Sequence, residues 1–103
     1  MIRHSVYLRF RDDVSDATIQ GLYARLEGLS GHIDGILAFQ ARANISVETP
    51  LVRGFLDMFW LDFRDLAVRD AYLVDPVHQA IGGDIVALLE GGAEGVFVCD
   101  IEV

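Results

Sequence analysis

Strand-like alternation near both ends of the chain, helical spacing between them, and a length of 103 residues predict a single α+β domain. Residues 2 to 10 alternate cleanly, with Ile2, His4, Val6, Leu8 and Phe10 on one face and Arg3, Ser5, Tyr7 and Arg9 on the other. That is the first strand. Ser15 can cap a helix whose apolar positions Ile19, Leu22, Tyr23, Leu26 and Leu29 follow three-and-four spacing, and Gly31 is expected to close it in the left-handed conformation. A second strand is expected from Ile36 to about Asn44, and Glu48 to Leu51 reads as loop.

The third strand is expected to start at Gly54 or Phe55 and end at Phe63. Phe55, Phe59, Leu61 and Phe63 then point one way and Leu56, Met58 and Trp60 the other, so both faces need cover. Residues 65 to 74 read as a short helix supported by Asp65 and Arg69 at i, i+4 spacing. Pro76 lacks an N–H and disfavours helix at the preceding residue, so Asp75 should stop this helix and cap the next. The next helix carries Val77, Ile81, Ile85 and Leu88 on one side, is thinned by Gly82-Gly83, and ends in the glycine cluster at 91–95. Val96 to Val103 is the last strand.

The order β-α-β-β-α-β, with its second helical segment split, is that of the ferredoxin-like fold: a four-stranded antiparallel sheet with its helices on one face. The other face is left bare. Of the residues, 52% are hydrophobic and mean hydropathy is +0.36, more apolar surface than one small core normally hides. A homodimer that pairs the bare sheet faces accounts for the surplus.

The longest largely apolar stretch, Phe55 to Phe63, is interrupted by Asp57 and Asp62 and is too short to span a bilayer. No membrane partner is expected, and with Met1-Ile-Arg-His4 running straight into strand pattern, the expected location is cytoplasmic. Eight arginines, no lysine and sixteen acidic residues give a formal charge of -8, which argues against nucleic acid as a partner. Cys99, alone in an apolar strand pattern, reads as a buried inert thiol.

The chemistry-bearing segment is Tyr72-Leu-Val-Asp-Pro-Val-His78. It sets a phenol and an imidazole on either side of a helix break, near a helix N-terminus where backbone N–H groups favour negative charge. In the usual spatial order 4-1-3-2, His4 is central and shares an apolar face with Val6 and Leu8. Its imidazole therefore needs a polar partner, and either Asp57 on strand three or Asp100 on strand four can supply it. His32, between Gly31 and the turn Asp34-Gly35, reads as an exposed loop residue. No histidine or cysteine cluster has ligand spacing, no glycine-rich phosphate loop appears, and there is no serine elbow, so neither a metal nor another cofactor is expected.

Three segments together resemble the stress-responsive A/B barrel (Dabb) family: the opening Ile2-Arg-His4 with its alternating strand, the Gly54-containing start of strand three, and Ala71-Tyr-Leu-Val-Asp-Pro-Val-His78. The resemblance spans nearly the whole chain. It implies a ferredoxin-like subunit that forms a dimeric α+β barrel. The family includes olivetolic acid cyclase, a plant polyketide cyclase that closes a linear polyketide without a cofactor. Resemblance to its motif implies a base role for His78, a substrate-positioning role for Tyr72 and a pocket position for His4. The cyclase has histidine where this chain has Asp57 and Asp75, so a more acidic pocket is expected, and a shared pocket rather than a shared substrate.

The resulting expectation is a pocket between sheet and helices with His78, Tyr72 and His4 as catalytic groups. Asp57, Asp100, Val6, Leu8, Phe59 and Tyr23 would contact a small apolar ligand. Its activity would be cofactor-free acid/base chemistry, of cyclase, isomerase or lyase type, on a carbonyl or aromatic compound. The rival reading is a non-catalytic stress-response or ligand-binding dimer. A further alternative, resting on fold analogy, is a cofactor-independent monooxygenase.

Overall fold

The computed structural model describes all 103 residues. Its strands are β1 (Ile2–Leu8), β2 (Ile36–Ala43), β3 (Asp57–Phe63) and β4 (Val96–Glu102). Its helices are α1 (Asp16–Glu27), a single turn α2 (Thr49–Val52), α3 (Leu66–Val74) and α4 (Pro76–Val86). The strands form one antiparallel sheet in the order β2-β3-β1-β4, which is the expected ferredoxin-like order. Fold and element sequence agree with the alternation and spacing of the chain.

The alternating residues of β1 divide the sheet into two faces. Ile2, His4, Val6 and Leu8 lie opposite Phe63, Leu61, Phe59 and Asp57 on β3, and on the other flank His4, Val6 and Leu8 lie opposite Asp100, Val98 and Val96 on β4. This face packs against the helices. Leu22, Tyr23 and Leu26 of α1, Val68 and Tyr72 of α3, and Ile81 and Ile85 of α4 join the strand residues in one core, where Leu8, Leu61, Phe63 and Tyr72 are fully buried. Such burial contributes about 1.5–3 kcal/mol for each large apolar side chain.

The outer face is unpartnered. Leu56, Phe97 and Ile101 are exposed and Tyr7, Met58, Trp60 and Cys99 are half-exposed. Cys99 is therefore not the buried thiol expected: its strand position is right, but it points away from the core. Trp60 lies between the guanidinium groups of Arg3 and Arg42, at 5.3 and 5.5 Å from its ring. Arg3 also forks onto Asp62 at 2.9 and 3.1 Å, which is how a carboxylate is buried on this face.

Turn geometry accounts for the other departures. Arg53 and Gly54 are consecutive left-handed residues (φ 57° and 79°), so the chain turns there and β3 starts at Asp57, not at Gly54 or Phe55. The segment expected as loop before it contains the helical turn α2, with Pro50 in its first positions. Gly31 does not close α1. The helix tightens into a 3₁₀ turn over Gly28–Gly31, and the left-handed residue is Gly35 (φ 97°), where an added Cβ would meet Val68 at 2.5 Å. Phe10 lies beyond β1 and makes an isolated bridge to Leu89. Asp65 caps α3 through Val68 N–H rather than pairing with Arg69, whose guanidinium reaches Asp70 and Asp100 instead.

Candidate active site

Asp75 creates the site by ending one helix and starting the next. Its backbone is extended (φ -68°, ψ 127°), its N–H returns to Tyr72 C=O, and its Oδ1 accepts from the N–H groups of Val77 and His78 at 2.9 and 3.0 Å. Pro76 occupies the first turn of α4, where its missing N–H costs nothing. The last turn of α3 and the first turn of α4 therefore meet at a fixed angle. Tyr72 and His78 are brought face to face, ring centroids 3.8 Å apart with an interplanar angle of 31°.

Beneath them the sheet supplies His4. Its ring lies 5.6 Å from Tyr72, edge-on, and 5.9 Å from Phe63. His4 Nδ1 is 2.6 Å from Asp100 Oδ1, and Asp100 Oδ2 accepts from Arg69 Nη1 at 3.0 Å. Of the two partners left open by the sequence, Asp100 is the one engaged. The register decides it, because Asp100 lies directly opposite His4 and Asp57 lies opposite Leu8.

These three side chains line a half-open cavity of about 200 Å³ between sheet and helices. The rest of the wall is apolar, including Val6, Leu8, Phe59, Leu26, Ile85 and Val98. Tyr72 Oη and His78 Nδ1 are buried and have no hydrogen-bond partner in the protein. Burial raises the Tyr72 phenol pKa far above its ordinary value, so it stays a donor. Burial, and then the neighbouring His4, hold His78 below the ordinary imidazole value and favour its neutral form.

Three expected ligand-contact residues are absent from the cavity wall. Asp57 lies opposite Leu8, four residues along β1 from His4, and partial burial and then Asp16 push its carboxyl pKa up. Tyr23 is core rather than wall: it packs on Phe39 and Phe59, with its hydroxyl buried and unpartnered. Asp100 does not line the cavity but acts on it through His4.

Sequence reasoning missed Arg69, whose tie to Asp100 appears only when α3 is packed on the sheet, and Val96 and Val98, which the register from Asp100 would have supplied. It also missed that His32, exposed as expected, holds Asp75 Oδ2 through Nε2 at 2.8 Å. The His78 backbone N–H first, then His32 and the Val77 N–H, hold the Asp75 carboxyl below the ordinary carboxylate range. No group of three His, Cys, Asp or Glu residues is placed to hold a metal ion. No helix is long and apolar enough to cross a membrane.

Comparison with solved structures supports the same frame. A dimeric ferredoxin-like protein of unknown function from Jannaschia sp. CCS1 is 33% identical, with a TM-score of 0.88 over 99% of this chain and 98% of that one. A Dabb family protein from Mesorhizobium loti is 20% identical, with a TM-score of 0.76 over 99% and 95% of the two chains. Hydroxynitrile lyase from Passiflora edulis shares the fold at 14% identity, with a TM-score of 0.82 over 99% of this chain and 92% of the lyase. No curated protein matches the sequence. The sequence profile of the stress responsive A/B barrel domain matches residues 2–103, and with the sheet order and the split second helix in place the chain belongs to the Dabb family.

Proposed function

We propose that this Dabb protein is a homodimer whose cavity performs cofactor-free acid/base chemistry on a small apolar carbonyl compound. The observation that carries the reading is the pair of buried polar atoms, Tyr72 Oη and His78 Nδ1, left without hydrogen-bond partners at an apolar, half-open cavity. An orphaned buried polar group costs about 1–3 kcal/mol, and a ligand oxygen that accepts from the phenol recovers it. The same cavity holds His4, so a donor and a base reach one small molecule. The cavity has room for a chain or ring of modest size. A cytoplasmic setting suits a chain with one unpaired cysteine.

The dimer rests on the apolar outer face of the sheet and on the dimeric state printed for the Jannaschia protein and for another from Thermobifida fusca. A groove of about 600 Å³, lined by Tyr7, Leu51, Phe55, Phe97 and Cys99, opens on that face and gives a second subunit a surface to fill.

The test is titration of aliphatic and aromatic ketones, followed by the ring resonances of Tyr72 and His78. Binding is expected to move both, and Tyr72→Phe should weaken it about tenfold, the equivalent of one lost hydrogen bond of ~1.4 kcal/mol. Ligands that bind without touching either resonance would overturn the reading.

A further inference from the structure

A line of charge runs from the surface of α3 to the cavity. Arg69 donates from Nη1 to Asp100 Oδ2 at 3.0 Å and from Nε to Asp70 Oδ1 at 2.9 Å, and Asp100 Oδ1 lies 2.6 Å from His4 Nδ1. The His4 side chain is 6% exposed, whereas those of Asp100 and Arg69 are each 25% exposed. A carboxylate only accepts, so Nδ1 is the protonated ring nitrogen. Nε2, with no hydrogen bond to the protein, is the basic one, on a ring that lines the cavity.

His78 is held differently. Asp75 meets only its backbone N–H, its Nδ1 has no partner, and no carboxylate bonds its ring. An imidazole that takes up a proton in an apolar cavity needs a fixed opposite charge within reach. Only His4 has one.

We propose that His4, oriented by Asp100 and Arg69, is the proton acceptor of the cavity and that His78 stays neutral throughout, an assignment that rests on the acid/base reading above. With a small ketone bound, a C–H bond beside the carbonyl breaks and its proton bonds to His4 Nε2. The electron pair forms the C=C bond of the enolate, whose oxygen takes the charge and accepts from Tyr72 Oη. The positive imidazolium faces Asp100. The proton on Nε2 exchanges with solvent before one is returned to carbon, so in D₂O the ketone gains deuterium with no oxidant or reductant. Arg69 and Asp100 touch no ligand and act as positioning residues.

Two measurements on the full-length protein test the assignment. Imidazole ¹⁵N spectra at neutral pH should show His4 with its proton on Nδ1, and Arg69→Gln should blur that preference while Arg69→Lys largely keeps it. Deuterium uptake by 2-heptanone should fall on the order of 100-fold in His4→Asn. In Arg69→Gln it should fall about tenfold with unchanged ketone affinity, and His78→Asn should act mainly through weaker ketone binding, with a smaller loss at saturating ketone than in His4→Asn. Should His4→Asn fail to fold, the Arg69 pair carries the test from a half-exposed helix face. A proton found on His4 Nε2, or uptake that survives His4→Asn and vanishes in His78→Asn, overturns the role of His4 and leaves the acid/base reading standing. Ketone that binds to the parent without any uptake overturns both.

Discussion

His78 and Tyr72 are useful because they are buried and incompletely bonded, and burial gives His78 a measurable signature. The folded state favours its neutral form, whereas the unfolded chain takes a proton at the ordinary value of about 6.5. Below that value the unfolded state binds more protons, so stability is full above it and falls as pH drops through it. Urea unfolding of the parent should weaken from about pH 7 to about pH 5, and His78→Gln should flatten that slope. A further decline near and below the carboxylate range, where Asp75 protonates, should remain in both proteins. The meeting of Tyr72 and His78 was legible in the sequence, since a proline break between them turns the end of one helix toward the start of the next. The partner of His4 was not, because Asp57 and Asp100 sit on the two strands that flank it and only register separates them.

At the scale of elements, the break between α3 and α4 does more than end a helix. Asp75 caps two N–H groups of α4, accepts from His32, and sets the angle that faces Tyr72 toward His78. Asp75→Ala should lower stability by about 1 kcal/mol, with faster amide exchange confined to the first turn of α4. Uniform loss of protection across the sheet would show that the cap is not local. The strands and long helices were legible because period-two and three-and-four patterns extend over several residues. The short turns were not: Gly31 continues a 3₁₀ turn, whereas Gly35 turns left-handed against Val68, a tertiary contact that no local pattern announces. Leu88, expected on the buried side of the last helix, lies past its end, and Leu89 takes the core position.

The whole molecule has one finished face and one unfinished face. Leu56, Phe97 and Ile101 stand exposed around half-exposed Met58 and Trp60, and monomers seldom keep an apolar patch larger than a few hundred Å². A paired sheet should bury at least about 1,200 Å² in total, and Met58→Asp should dissociate the protein or prevent its folding. Sedimentation at micromolar concentration reads the outcome, and a folded parent that sediments as an 11.4 kDa monomer would remove the dimer. The surplus of apolar residues announced this face, but composition cannot say which strand positions carry it. The tie between His4 and Asp100 also bears on how the sheet is completed. Asp100 lies in β4, at the sheet edge. Until it docks, a buried imidazole in the central strand lacks its counterpart, and a one-residue slip would offer it Cys99 or Ile101 instead. The polar pair thus serves as a checkpoint on assembly: β4 seats in the alignment that finishes the cavity, and a mis-seated strand is penalised.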